Sequence, residues 1–292
     1  MKTYIYRLLG LAAVLVFGAF TVNDHTYEEQ IREWHLKRVE SLKAESGWLN
    51  LAGLFWLDEG KNTFGGAEEN DILFPADKSS PFLGEIWLEN GHITLKARPG
   101  AGIFNGDQPV TEIDIFPDGQ PVTLRHGSLR WFVIKRGEKY AIRLRDLEGP
   151  FLKNFTGIER YPVQEKWRIK ARFVPTEGHT VPITDITGRT DDQVSPGRLV
   201  FTVDGREYSL DAVGQPENLF IIFADQTNRH ETYGSGRFLY AAVEADGTAW
   251  LDFNKAINPP CAFSPYATCP LPPKQNKLAV AISAGEKRYG DH

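Results

Sequence analysis

With 292 residues, the chain exceeds the roughly 100 to 150 residues typical of one domain, so one large or two modest domains are expected. A hydrophobic fraction of 41%, with 18 Phe, 10 Tyr and 7 Trp but a single Met, excludes disorder over most of the length and points to cores built on rigid aromatics. The formal net charge of -5, with basic residues interspersed among acids, argues against nucleic acid as a partner.

At the N-terminus, Lys2 and Arg7 precede an uncharged apolar run ending near Val22, the layout of a signal peptide. Counted from Leu8 the run is about 15 residues, short of the ~20 that a mature membrane helix needs. Export to the periplasm or cell envelope is therefore expected, with residues 1–22 as a signal peptide or, uncleaved, as an anchor through residues 4–22. Membrane contact is expected only through that segment. No Cys ends the run, which excludes a lipid-modified cysteine, and Ala19 with Thr21 is the best small-residue pair for cleavage.

From Thr26 to Glu45 there is no Pro and no internal Gly, and Tyr27, Ile31, Trp34, Arg38 or Val39, and Leu42 recur at helical steps. Residues 23–47 thus form an amphipathic helix segment, stopped by Gly47, whose polar face reads as a solvated surface. Beyond it, short apolar runs with period two predict strands at Ile86 to Glu89, His92 to Ala97, Pro109 to Phe116, Leu129 to Arg136 and Tyr140 to Leu144. Asn90-Gly91, Asn105-Gly106, Asp118-Gly119 and Arg136-Gly137 punctuate them, where hairpin turns require positive φ. Glu148-Gly-Pro-Phe151 marks a boundary. After it, strands are expected at Trp167 to Val174, Thr180 to Thr187, Gly197 to Val203, Glu207 to Ala212, Leu219 to Phe223, Arg237 to Val243, Ala249 to Phe253 and Leu278 to Ile282. The fold class is mainly β: an N-terminal helix, an antiparallel sandwich over 48–149, and a second antiparallel sandwich or barrel over 150–292.

The runs Ser46 to Leu57, Asp225 to Arg237, Leu251 to Pro273 and Ala284-Gly-Glu286 make the chain resemble an uncharacterised prokaryotic family, the domain of unknown function DUF1684, over nearly everything after the first two dozen residues. The resemblance supplies a pattern of residues and no reaction. Separately, Thr63 to Phe74 and Ile103 to Val110, with the strand rhythm around them, are similar to the forkhead-associated sandwich. Domains of that kind read phosphothreonine with an Arg after the first Gly and a downstream Ser-x-x-His. Here Gly66 stands in place of the Arg, and no Ser-x-x-His lies between Phe74 and Asn105, so the sandwich is expected without the phosphopeptide.

The candidate site is the polar, glycine-punctuated stretch at predicted strand ends. Its ligand-binding candidates are Asp225, Thr227, Thr232, Tyr233, Arg237, Asp252, Asn254, Asn258 and Glu286. If the strands ending at Asp225 and Asp252 are neighbours, both carboxylates meet at one rim. They could then perform acid/base chemistry, hold a hard cation or hydrogen-bond a polyhydroxyl ligand. The competing reading is a self-satisfied loop, with Asp225 and Thr227 capping backbone N–H groups and Arg237 paired with a carboxylate. Cys261 and Cys269, the only cysteines, suit a short disulfide loop stiffening a proline-rich flap better than a zinc site. No metal-ligand signature, Gly-x-Ser-x-Gly elbow or phosphate-binding loop occurs, and the spacing assigns no cofactor and no oligomeric state. The expected function is an exported protein with a small polar-ligand site at the rim of the C-terminal β domain, with hydrolysis left open. The alternative is a non-catalytic structural or interaction module of the envelope.

Overall fold

The computed structural model describes residues 26–176 and 178–290. The signal peptide or anchor expected over 1–22 lies outside the described residues. Among the described residues, no helix is long and apolar enough to cross a membrane. The chain is mainly β, with one long N-terminal helix.

That helix, α1 (Tyr27–Lys43), starts at a reciprocal capping box. Glu29 N–H donates to Thr26 Oγ1 at 3.3 Å while Thr26 N–H donates to Glu29 Oε2 at 2.8 Å, which satisfies two end groups at once. Its apolar stripe buries Ile31 and Leu42. Asn50, buried just beyond it, donates through Nδ2 to Ala44 O at 2.6 Å and ties the chain leaving the helix to the next segment.

The sandwich comprises β1 (Leu51–Trp56), β2 (Gly60–Gly65), β3 (Ile72–Leu73), β4 (Gly84–Glu89), β5 (His92–Ala97), β6 (Phe104–Asn105), β7 (Gln108–Pro109), β8 (Glu112–Asp114), β9 (Leu124–His126), β10 (Leu129–Arg136) and β11 (Lys139–Asp146). One sheet has the order β1-β11-β10-β9-β6-β7, and the other β3-β2-β4-β5-β8. All pairs are antiparallel except β2 with β3. Alternate residues of both sheets meet in one core, where Phe64, Phe74 and Trp131 pack with ring centroids 5.3 to 6.0 Å apart. Asn90 and Gly91 both take positive φ in the β4–β5 hairpin, as the two-residue turn demands.

After a short helix α2 (Pro150–Lys153), the second half contains β12 (Arg168–Pro175), β13 (Thr180–Thr184), β14 (Thr190–Val194), β15 (Gly197–Val203), β16 (Arg206–Gln215), β17 (Asn218–Phe223), β18 (Arg237–Ala241) and β19 (Thr248–Asp252). Six of them form a sheet in the order β18-β17-β16-β15-β12-β19, which curls into a half-barrel with a bridge between Val243 and Ala249 near its two ends. β13 and β14 form a separate ribbon.

Three expectations change. Leu278 to Ile282 is not a strand. Its alternation is real, with Leu278 and Ile282 buried, but its bonds go to a loop: Leu278 N–H to Ala224 O at 2.8 Å and Ile282 N–H to the Asp225 carboxylate at 3.1 Å. Leu51 to Trp56, not among the expected strands, is a strand paired to β11. β14 escaped detection because Thr-Asp-Asp-Gln-Val is exposed throughout and carries no apolar period.

The two halves are packed together. Leu42 and Leu49 meet Ile158, Ala262 and Phe263 in one cluster, and Leu51 meets Ile222, Phe238, Ala267 and Cys269 in another.

Candidate functional site

The loop after β17 is organised around Asp225. Its Oδ1 accepts from Thr227 N–H at 2.9 Å, Thr227 Oγ1 at 2.6 Å and Ile282 N–H at 3.1 Å, and its Oδ2 accepts from Arg237 Nη2 at 2.7 Å. The Asp225 and Arg237 side chains are both 0% exposed. Arg237 continues outward to the C-terminal segment, where Nη2 donates to Ile282 O at 3.0 Å and Nη1 to Ala284 O. Its guanidinium also lies over the Phe223 ring, 5.3 Å from the centroid. Thr227 and Thr232 share a hydroxyl hydrogen bond at 2.8 Å, and Asn228 Nδ2 donates to Thr232 Oγ1 and to Tyr233 O at 3.0 and 2.8 Å. Asp225, Thr227, Thr232 and Arg237 are therefore brought together in one buried network, whose groups are largely used by one another.

Asp252 and Asn254 belong to a second network. Tyr27 of α1 donates to Asp252 Oδ1 at 2.6 Å and accepts from Asn254 Nδ2 at 2.9 Å, while Gln164 N–H donates to Asn254 Oδ1 at 3.1 Å. Burial, together with the hydrogen bond to the Asp252 carboxylate, raises the Tyr27 hydroxyl pKa well above its ordinary value. The strands preceding Asp225 and Asp252 are not neighbours, because β16, β15 and β12 lie between β17 and β19 in the sheet order. The two carboxylates accordingly bond different partners, and the paired arrangement considered above does not form through adjacent strands.

A third network joins Asn258 and Glu286. Glu286, 1% exposed, accepts from Asn258 N–H at 2.6 Å and from Arg38 Nε at 3.2 Å, and Arg38 Nη2 also reaches Asn258 O at 3.1 Å. Asn258 Nδ2 donates to Lys287 O at 2.7 Å. Burial raises the Glu286 carboxyl pKa, with Arg38 pulling it the other way. Lys287, next to Glu286 in the chain, lies over the Tyr161 ring. The partner is Arg38, which periodicity placed at an apolar helix step; Tyr27 and Arg38 carried no signal beyond that stripe.

Tyr233 stands apart. Its side chain packs into the cluster of Leu42, Leu49 and Phe263, and burial raises its hydroxyl pKa while Ser235 bonds to it.

Open space adjoins the first network. A cleft of about 760 Å³ lies between the Asp225 loop and the 271–278 segment; its walls include Pro182, Pro272, Pro273 and Leu278. Asn228, Arg229, Ser235, Lys274 and Lys277 contribute polar groups. Asp225 touches this cleft, yet its oxygens point into the Arg237 network. Arg229, an exposed residue, holds φ at 72°, a left-handed conformation uncommon outside Gly, Asn and Asp. Among the described residues, no group of three or more His, Cys, Asp or Glu is placed to hold a metal ion.

Cys261 and Cys269 are joined as a disulfide, with Cα atoms 6.1 Å apart. The loop it closes does not cover the cleft. It packs against Trp48 and Leu51, between the halves. Reducing it should remove about 2 to 3 kcal/mol, the chain entropy of a short closed loop. Urea unfolding with and without reductant, compared with Cys261→Ser/Cys269→Ser, measures this; coincident curves would deny the bridge any stabilising part.

Residues 153–287 match the family described as "Protein of unknown function (DUF1684)". A solved structure, the solution NMR structure of an uncharacterised protein from Haloarcula marismortui, is similar at 30% sequence identity with a TM-score of 0.41, covering 49% of this chain and 83% of that one. No curated protein matches the chain.

Proposed function

We propose that this chain, whose residues 153–287 carry the DUF1684 match, is an exported protein that binds a small polar molecule in the cleft beside Asp225. The observation that carries the reading is the division of labour at this rim. Asp225, Thr227, Asn228, Thr232 and Arg237 are spent on holding the loop, so that Arg229, Ser235, Lys274 and Lys277 are presented around a concave surface with proline and leucine walls. Three cations face the cleft, and its one carboxylate is already neutralised by Arg237, which favours a ligand with at least one acidic group. Binding is favoured over hydrolysis because the Asp225 oxygens are taken up by four donors and point into the Arg237 network, away from a substrate in the cleft. Export is supported by the disulfide and by the charge layout of the N-terminus. The sandwich is read as a forkhead-associated-like scaffold without its phosphopeptide site.

A second reading, a non-catalytic structural or interaction module, is favoured by the same saturation of the networks. The two separate in one experiment. Thermal shift against a panel of sugar acids, amino acids and small dicarboxylates should find stabilisation that Lys274→Glu/Lys277→Glu removes without changing the unliganded melting temperature. No stabilisation by any panel member, with unaltered folding of the variant, would leave the module reading in place.

A further inference from the structure

The wall of the 760 Å³ cleft opposite the Asp225 loop carries two cations on one short turn. Lys274–Asn276 is a single 3₁₀ turn, after which Lys277 N–H donates to Lys274 O at 3.3 Å. Side chains three apart on such a turn share a face, and Lys274 and Lys277 both line the cleft. The turn is held by Asn276, which is 1% exposed. Its Oδ1 accepts from Asp211 N–H at 2.8 Å, and its Nδ2 donates to Asp211 O at 2.8 Å and Ile222 O at 2.9 Å. Asn276 O also accepts from Ala224 N–H at 3.0 Å, at the foot of the Asp225 loop. The two lysines therefore stand on a platform tied to β16 and β17.

The loop wall supplies the third cation, Arg229, whose backbone is held at φ 72° with its N–H bonded to Thr232 O at 3.1 Å. Among the described residues, no hydrogen bond or ion pair engages the side chain of Arg229, Lys274 or Lys277. Other lysines of this half are differently placed: Lys170 pairs with Asp246 at 2.9 Å and Lys255 with Asp252 at 3.6 Å. The carboxylate that borders the cleft, Asp225, already faces Arg237. In a chain of net charge -5, three unpaired cations around one concave surface mark a place where an anion relieves their mutual repulsion.

Three positive charges exceed what one carboxylate offsets, whereas a phosphate monoester carries close to two negative charges at pH 7 on three acceptor oxygens. Ammonium groups bind phosphate as point charges, and a guanidinium engages it with two parallel bonds. Beyond the cations, Pro182, Pro272, Pro273 and Leu278 offer apolar surface. We propose that the cleft holds a small phosphate monoester, an assignment that rests on the cleft being the binding site proposed above. Its phosphoryl oxygens lie between Lys274 and Lys277 on one wall and Arg229 on the other, and its organic part packs against the prolines and Leu278.

Isothermal titration calorimetry at fixed ionic strength tests this with phenyl phosphate, glycerol 3-phosphate, inorganic phosphate, benzoate and malonate. At least one of the two esters should bind at a single site per chain, about tenfold or more tighter than inorganic phosphate, which lacks the organic part, and than benzoate or malonate, which lack the phosphoryl group. Lys274→Gln/Lys277→Gln and Arg229→Gln should each weaken ester binding by about tenfold or more. Lys170→Gln, away from the cleft, should keep the wild-type affinity. The phosphate assignment is overturned if neither ester binds, if inorganic phosphate, benzoate or malonate binds as tightly as the esters, or if the cleft variants keep the wild-type ester affinity. Malonate binding that the lysine variant abolishes, without ester binding, would leave the cleft standing as a binding site while removing the phosphate. Absence of binding by every one of these probes and by the sugar acids and amino acids would remove both.

Discussion

Arg237→Met is expected to destabilise the protein by about 3 to 5 kcal/mol, because it strands the Asp225 carboxylate in a site from which water is excluded. At roughly 2 °C per kcal/mol for a chain of this size, the melting temperature should fall by about 6 to 10 °C. The loss has two parts. Asp225 forfeits the 2.7 Å charge-assisted bond, and the carbonyls of Ile282 and Ala284 forfeit the donors that hold the C-terminal segment against β18. Arg237→Met/Asp225→Asn should recover part of the loss, since no unpaired charge is then buried. A double variant no more stable than Arg237→Met would show that the carbonyl contacts, rather than the ion pair, dominate. A single variant within ~0.5 kcal/mol of wild type would refute the account of this network.

Arg38→Ala should cost a similar ~3 to 5 kcal/mol at neutral pH, and the deficit should shrink on acidification. The sign follows from Glu286. Its pKa is raised in the folded state, chiefly by burial, so protonation favours the native form. The stabilisation from the neutral carboxyl is present below the ordinary carboxylate range and is lost as pH rises through the raised folded value. Removing Arg38 removes one of the attractions that restrain the rise, so the pH window over which the uncompensated charge destabilises the variant moves upward. Urea midpoints of wild type and Arg38→Ala should therefore converge as pH falls from neutral toward the ordinary carboxylate range. Arg38→Ala/Glu286→Gln should regain stability at neutral pH. A deficit independent of pH, unrelieved by Glu286→Gln, would mean that the Arg38 contact with Asn258 O and its packing over the Phe263 ring carry the effect.

These two predictions concern residues whose importance was unequally visible. Asp225 and Arg237 could be singled out because they flank a loop dense in Thr, Asn and Gly between two apolar strands, and the chemistry of Asp and Thr at strand ends already implied local capping. The structure has that capping for Asp225, whose Oδ1 accepts from the N–H groups of Thr227 and Ile282, while the Thr227 hydroxyl bonds Asp225 and Thr232 instead. Arg38 could not be found in the same way. It lies on a helix far from Glu286 in sequence, and a cation at an apolar step looks like the edge of a stripe until the surface it docks on is known. Tyr27, which bonds Asp252 and Asn254, was hidden for the same reason.

The amino-acid sequence by itself determined the elements whose signal is local. The α1 stripe, the hairpins at Asn90-Gly91 and Arg136-Gly137, the apolar strands of both halves and the short cysteine spacing follow from periodicities and turn chemistry acting over a few residues. Tertiary structure decided everything that depends on which strand ends come together. The order of the half-barrel places β16, β15 and β12 between β17 and β19, so the candidate residues divide into separate buried networks, and α1 docks onto two of them. Ion pairing and burial are set by distances in space between residues that the chain keeps up to 248 positions apart. No local pattern encodes such distances, which is why the polar stretch could be located from its letters while its division into loop scaffold and open cleft could not.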